Sequence, residues 1–423
     1  MKKCIYSKAF LLFFFLCFFI IAPLIHAQKT EIQTENGVTV VYNSKDPSPK
    51  NGLKLRIVFE EELSIGEFEG DENYMFTGNI FFTTDKEGNF YVADMEGDRI
   101  LKYDSGGKYL LTIGREGQGP GEFRTLSVPR FDKDNNLYIT DGGNRRISFF
   151  DKDGKFLRQM LMPESYENLY INSKGMIAAT KTSSGEETNV QKTIFLFSLL
   201  DDKFNSIAEI YKDEIDLPLP TGRDVSSIAK YVGNILSKAA FRPFIKYAVA
   251  DDDSIYFGYP DKYEIHVYSP EGKLTRKIVR DYEPIPIGKK DKESVVKVAS
   301  EEFSGPVFTD DLKKIAFEQI KYPKYKPAYQ SFSLMENGWL AVSVDSVESE
   351  YTLFDIFDRE GRYIAHFKTT ELTLPAEGIV SEFFFFFKNG KAYAVATEED
   401  YRFAKRYNFE IQEYKDNKWI RKK

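Results

Sequence analysis

Two turn motifs alternate along the chain, and together they limit the possible folds more than any other feature. The first is an acidic or polar turn that opens a short aromatic strand: DKEGNFYVAD from Asp85, DKDNNLYITD from Asp132, NSKGMIAAT from Asn172, DDDSIYFGY from Asp251, MENGWLAVS from Met335 and FKNGKAYAV from Phe387. The second follows each copy of the first: YDSGGKYLLTI from Tyr103, FDKDGKFLRQM from Phe150, FSLLDDKFNSIAEI from Phe197, YSPEGKLTRKI from Tyr268, FDREGRYIAHF from Phe357 and EYKDNKWIRK from Glu413. Each pair of hairpin turns implies four strands. Six such sheets cannot each bury two faces alone, and stacking them face to face around an axis hides those faces. The expected fold is all-β, a six-bladed β-propeller with four-stranded blades. The 26 Tyr and 37 Phe suit half-buried pleated strands.

The segment from Leu53 to Ile65 parallels an outermost strand, yet no first three strands precede it. It is expected to complete the last blade and close the ring by joining the chain ends. KWIRK near the C-terminus competes for that place, and the reading favours the N-terminal strand.

The chain opens with Lys2, Lys3 and Lys8 ahead of an apolar run from Ala9 to Ile25, then Ala27 where a signal peptidase could cut. Residues 1–27 are therefore expected to be a signal peptide or an uncleaved anchor, 28–52 a lead-in, and 53–423 the propeller. Export to the periplasm or the exterior follows, with membrane contact only through an uncleaved leader. Both cysteines, Cys4 and Cys17, lie in the leader, so the mature chain has no disulfide and no thiolate chemistry. Loss of the leader lysines takes the formal charge from −7 to −10, an acidic balance that argues against nucleic acid as a partner.

The first two units carry a more specific pattern. After the Asp85 turn come YVAD, Asp98-Arg99-Ile100, KYDSGGKYLLTIG and the loop GREGQGPGEF; the second unit repeats it with YITD, Asn144-Arg145-Arg146-Ile147 and FFDKDGKFL. Over Thr77 to Met160 this resembles the NHL repeat, and the chain is similar to exported bacterial six-bladed propellers of unassigned function. The resemblance implies the fold and assigns no chemistry.

Long links join outer strands to the next inner strands late in the chain. Between blades 3 and 4, Ile228, Val232, Leu236 and Ala240 fall at four-residue spacing, one face of a helix. Between blades 4 and 5, DKESVVKVASEEF and TDDLKKIAFEQI read as helices, the second opened by Thr309. Thr369 to Glu382 is a third, shorter link. All three emerge on one face, and loops on a rigid scaffold are where recognition concentrates.

Residue types for catalysis are scarce. Only His266 and His366 survive leader removal, too few for the histidine-rich zinc site of propeller lyases or a well-supported nucleophilic triad. GREGQGPGEF lacks the Lys-Ser/Thr ending of a phosphate loop, and the Asp-rich turns lack calcium-loop spacing. The leading expectation is a binding or scaffolding module, with no catalytic residues and no cofactor, that engages a protein, peptide or glycan through Arg124, Arg130, Arg242, Tyr329 and Gln330. Arginine suits fork-shaped recognition of carboxylates, and tyrosine supplies contact area at low entropic cost. The alternative is a calcium-assisted hydrolase, lactonase or lyase with the ion in the central channel, held by Glu167, Asn168 and Glu382 at the starts of inner strands.

Overall fold

A computed structural model describes residues 30–48, 54–76, 78–187, 189–303, 305–345, 352–369, 385–398 and 401–421. Three strands come first: β1 (Glu31–Glu35), β2 (Val38–Asn43) and β3 (Lys54–Ile65). Blade 1 is β4 (Ile80–Thr84), β5 (Phe90–Asp94), β6 (Arg99–Tyr103) and β7 (Tyr109–Ile113); blade 2 is β8 (Arg130–Phe131), β9 (Leu137–Asp141), β10 (Arg146–Phe150) and β11 (Phe156–Leu161). Blade 3 holds β12 (Glu167–Ile171), β13 (Ile177–Glu187), β14 (Val190–Leu200) and β15 (Ser206–Pro218), and after helix α1 (Val225–Ala239) blade 4 holds β16 (Lys246–Val249), β17 (Ile255–Gly258), β18 (Glu264–Tyr268) and β19 (Leu274–Arg280). Helices α2 (Lys289–Glu302) and α3 (Asp310–Glu318) precede blade 5, which is β20 (Ser331–Leu334), β21 (Leu340–Val344), β22 (Thr352–Phe357) and β23 (Tyr363–Thr369). Blade 6 is β24 (Phe385–Lys388), β25 (Lys391–Glu398), β26 (Tyr401–Lys415) and β27 (Lys418–Arg421), with β3 on the far edge of β26.

Strand periodicity explains the ring. On β5, Phe90 and Val92 pack into the seam with blade 6, while Tyr91 and Ala93 pack into the seam with blade 2. Because successive side chains point to opposite faces, one short strand supplies two cores. Six seam cores join blades 1/2, 2/3, 3/4, 4/5, 5/6 and 6/1, so the array closes on itself. Fully buried rings such as Phe82, Tyr103 and Phe123 each contribute roughly 1.5–3 kcal/mol of burial.

The strands stop where the repeated turns dictate. Asp85 Oδ1 accepts from Glu87 N (3.0 Å) and Asn89 N (2.8 Å), and Asp132 and Asn172 cap the equivalent turns in the same way.

Closure uses the N-terminal strand. β3 runs antiparallel to β26 from Ala404↔Ile65 to Tyr414↔Lys54, while β27 pairs with β26 on the edge that β25 occupies further along, Gln412↔Arg421 to Lys415↔Lys418. Both candidate segments thus join blade 6, on opposite edges of one long strand. The lead-in is itself structured. β1 and β2 form a hairpin around Asn36 (φ 50°) and Gly37 (φ 82°), and β2 pairs in parallel with β19, widening blade 4 to six strands. Ser48 N then donates to Tyr363 O on blade 5, so the N-terminal segment straps three successive blades.

Candidate functional site

Blade-to-blade links leave from the ends of β7, β11, β15 and β19, which lie on one face, opposite the repeated turns. On that face α1, from the 3/4 link, and α2 and α3, from the 4/5 link, share one apolar core. Ala229, Val232 and Leu236 of α1 meet Val295 and Ala299 of α2 and Leu312 and Ala316 of α3. A Cβ at Gly233 would lie 2.9 Å from Ala316 O, so glycine is what lets α1 and α3 touch. Asp224 caps α1 by accepting from Ser227 N (3.0 Å), and Thr309 caps α3 by accepting from Leu312 N (3.3 Å).

The C-terminal end of α1 delivers a strip of polar and aromatic groups. Phe241 adopts φ 53°, a left-handed conformation costly for a bulky residue and usually given to glycine at a helix end. Arg242 follows: its Nη2 donates to Asp213 Oδ2 at 2.6 Å and its guanidinium lies 4.0 Å from the Phe195 ring centroid. Tyr259 Oη also donates to Asp213 (3.1 Å) and stacks on Tyr211 at 4.6 Å. On the neighbouring blade, Lys326 Nζ contacts Asp291 (2.8 Å) and Asp345 (3.7 Å), and Gln330 Nε2 donates to Asp345 Oδ1 (2.8 Å). Burial raises the Asp345 pKa, against the opposing pull of Lys326. Gln330 Oε1 is buried without a hydrogen-bond partner.

The residues singled out from sequence divide into three places. Arg242 and Gln330 belong to this strip. Tyr329, beside Gln330, is fully buried; its hydroxyl donates to Glu264 O (3.2 Å) and its ring packs on Tyr263 and Phe332, filling space that Gly258 leaves open. Arg124 is exposed on blade 2, where its backbone N donates to Asp141 Oδ1 (3.2 Å). Arg130, on inner strand β8, sits 5.8 Å from the Tyr170 ring centroid with its Nε buried and unpartnered. Glu167 is exposed at the start of β12, and Asn168 beside it adopts φ 45° at a register shift. Glu382 lies outside the described residues. Among the described residues no three His, Cys, Asp or Glu side chains are grouped to hold a metal ion.

The glycine-rich loop of blade 2 is gripped by its own scaffold. Arg146 donates to Gln118 O (2.9 Å), Gly119 O (2.7 Å) and Glu122 O (2.6 Å), and Asn144 Nδ2 donates to Gly117 O (2.9 Å). With its backbone carbonyls turned to Arg146, the loop is a structural link between blades. At the turn end of the channel, Lys388 of blade 6 donates to Thr84 O of blade 1 and lies 5.3 Å from the Phe131 ring centroid of blade 2. Burial lowers its pKa.

Both histidines among the described residues are bound to carboxylates. His266 Nε2 lies 2.5 Å from Glu264 Oε1, and this contact, with help from Lys277, lowers the Glu264 pKa to about 2. His366 Nδ1 lies 2.7 Å from Asp355 Oδ1 in a network that sequence reasoning missed. Fully buried Asp355 also accepts from Tyr263 (2.6 Å), Tyr363 (2.8 Å) and Arg280 (3.0 Å), locking the seam between blades 4 and 5. A carboxylate amid the apolar run TLFDIF was the available signal.

Six sheets stacked through six seams, with inserts on one face, define a six-bladed β-propeller. The chain belongs to the DUF5128 family, described as a 6-bladed beta-propeller, whose profile matches residues 72–293. No curated protein matches it. Similar solved structures include a protein described as exported from Bacteroides fragilis, 12% identical over 88% of this chain and 99% of that one, TM-score 0.48. A duf4221 family member from Bacteroides vulgatus is 10% identical over 85% of this chain and 98% of that one, TM-score 0.44. A gluconolactonase from Xanthomonas campestris is 13% identical over 78% of this chain and 88% of that one, TM-score 0.40.

Proposed function

We propose that this chain is an exported recognition propeller that holds a protein, peptide or glycan on its insert-bearing face, with no chemical step. The observation that carries the reading is the convergence of two separate links into one helical core on that face alone. A scaffold that only closes its channel has no need of the strained Phe241 turn, which fixes Arg242 beside Asp213 and Phe195. Arg124, exposed on the same face, and Gln330, with its unpartnered oxygen, are the further candidate contacts; Arg130 and Tyr329 act from behind the surface. The Asp94–Arg99 and Asp141–Arg146 pairs at matching positions of blades 1 and 2 support an NHL-type origin for those units.

The test is a peptide and glycan array probed with the mature chain and with a variant whose link from Glu283 to Ala328 is replaced by a short flexible linker. Capture of at least one class of ligand should disappear in the variant while the blades still unfold cooperatively. A variant that keeps every ligand of the parent undiminished would sink the reading.

One feature favours a second reading, calcium-assisted hydrolysis in the channel: the left-handed Asn168 beside Glu167 at the mouth of β12. Glu382 is its third expected ligand. Calcium titration by calorimetry, with Glu167→Ala as control, distinguishes the two; heat that is absent or survives the substitution removes this alternative.

A further inference from the structure

We propose that the projecting edge of blade 3 binds an extended, lysine- or arginine-bearing peptide as an added β-strand. It goes beyond the recognition reading above, adding a second contact surface on the same face that the variant lacking the link from Glu283 to Ala328 should keep. β13 pairs with inner strand β12 only as far as Glu167↔Thr180, then continues to Glu187 beyond the body of the propeller. Its other edge stays paired with β14 throughout, from Ile177↔Leu200 to Glu187↔Val190. Among the described residues, the stretch from Thr182 to Glu187 therefore presents one row of backbone N–H and C=O groups with no strand beside it, over about 20 Å at roughly 3.3 Å per residue.

The edge is open and lacks the usual protection. Thr182, Ser184 and Glu186 are exposed, and a Cβ at Gly185 would meet nothing within 4 Å. Proteins usually blunt such edges with proline, lysine or a bulge. No register shift interrupts the β13–β14 ladder to twist this edge away. Thr182 to Glu187 contains neither proline nor lysine.

Main-chain pairing supplies affinity in such a mode, and flanking side chains select the partner. Here the selection is acidic. Glu186 lies on the face of the strand shared by Thr182 and Ser184, and Glu167 sits at the base of the edge, its Oε2 accepting from Thr182 Oγ1 at 3.5 Å. Carboxylates at the two ends of the edge attract a cationic strand. A second copy of this chain, with formal charge −7, is repelled.

The probe is a fluorescent six-residue peptide alternating valine and lysine, followed by anisotropy against the mature chain at low salt. Saturable binding is expected, weakened about tenfold by E186K and about tenfold or more by N-methylation of alternate peptide amides. Circular dichroism and the melting temperature of E186K should match the parent, since Glu186 is exposed. Equal binding of the N-methylated peptide, or no change in E186K, overturns the proposal. So does concentration-dependent dimerisation that E186K abolishes, which would assign the edge to a second copy. Capture on a glycan array without peptide binding overturns the strand-addition proposal and leaves the recognition reading intact; silence on both arrays overturns both.

Discussion

The turn face and the insert face of this ring are built from the same strands but by opposite means. On the turn face blades 1, 2, 3 and 5 repeat one device, an Asp or Asn oxygen accepting from N–H groups two and four residues ahead, and neighbouring turns are tied to each other. Ser173 N and Oγ donate to Asp253 (3.1 and 2.5 Å), Glu336 accepts from Gly390 N (2.8 Å), and Asn389 Nδ2 donates to Asp85 O (3.0 Å). On the insert face the described links differ from blade to blade: a gripped glycine-rich loop on blade 2, a projecting hairpin on blade 3, and a shared helical core above blades 3 to 5. Repetition holds the ring together on one side, and its absence frees the other side for recognition. Substitutions on the turn face and in the seams should therefore lower global stability, and substitutions on the insert face should act locally.

The largest effect is expected in the seam that both faces share. Asp355→Ala leaves the Arg280 guanidinium, only 11% exposed, without its counter-charge, and removes the acceptor to which the Tyr263 and Tyr363 hydroxyls donate. Breaking such a buried pair costs about 3–5 kcal/mol. Chemical denaturation should show a single shifted transition; a shift below about 1 kcal/mol would mean the seam is not under tension from this pair.

Leu236→Ala ranks next. Leu236 is 1% exposed at the centre of the helical core, and truncation there costs about 3 kcal/mol. Hydrogen exchange should show α1, α2 and α3 opening while the strands of blades 1, 2 and 6 keep their protection. Equal loss of protection in those strands would break the contrast between the faces.

On the turn face, Asp253→Ala removes two hydrogen bonds from blade 3 and puts alanine at φ 63°, for a loss of about 2 kcal/mol. Here the whole ring should destabilise together, read as one shifted melting transition. A change confined to the insert helices would reverse the assignment of the two faces.

What the sequence disclosed follows the same division. The repeated turns could be read because Asp85, Asp132 and Asn172 act through N–H groups two and four residues ahead, which is local chemistry. The helices could be read in part: Thr309 and the spacing of Val232, Leu236 and Ala240 mark them, yet their union in one core joins links far apart in sequence. Gly233 within the helical pattern was the one hint of close approach. Asn36-Gly37 is the strongest short hairpin signal, but nothing local says that the hairpin docks in parallel on β19. The Arg242–Asp213 pair spans 29 residues, and only the turn at Phe241 brings it together.

The smallest effect gives the finest test of the contrast. Asp345 is a carboxylate of the insert face whose pKa is raised by burial, so the folded protein holds its proton more tightly than the unfolded chain does. Its contribution to stability is complete below the ordinary carboxylate range and is lost as pH rises through its raised value. At neutral pH the ionised group therefore carries a penalty, which Lys326 offsets only in part. Asp345→Asn removes that penalty, keeps an acceptor for Gln330 Nε2, and leaves Lys326 paired with Asp291. The variant should be more stable than the parent by about 0.5–1 kcal/mol at pH 7, with the gain fading as the pH is lowered into the carboxylate range. A penalty kept at neutral pH on the insert face is what a surface shaped for a partner would retain. A loss of stability at pH 7 would instead place Asp345 with the seam residues, as a support of the ring.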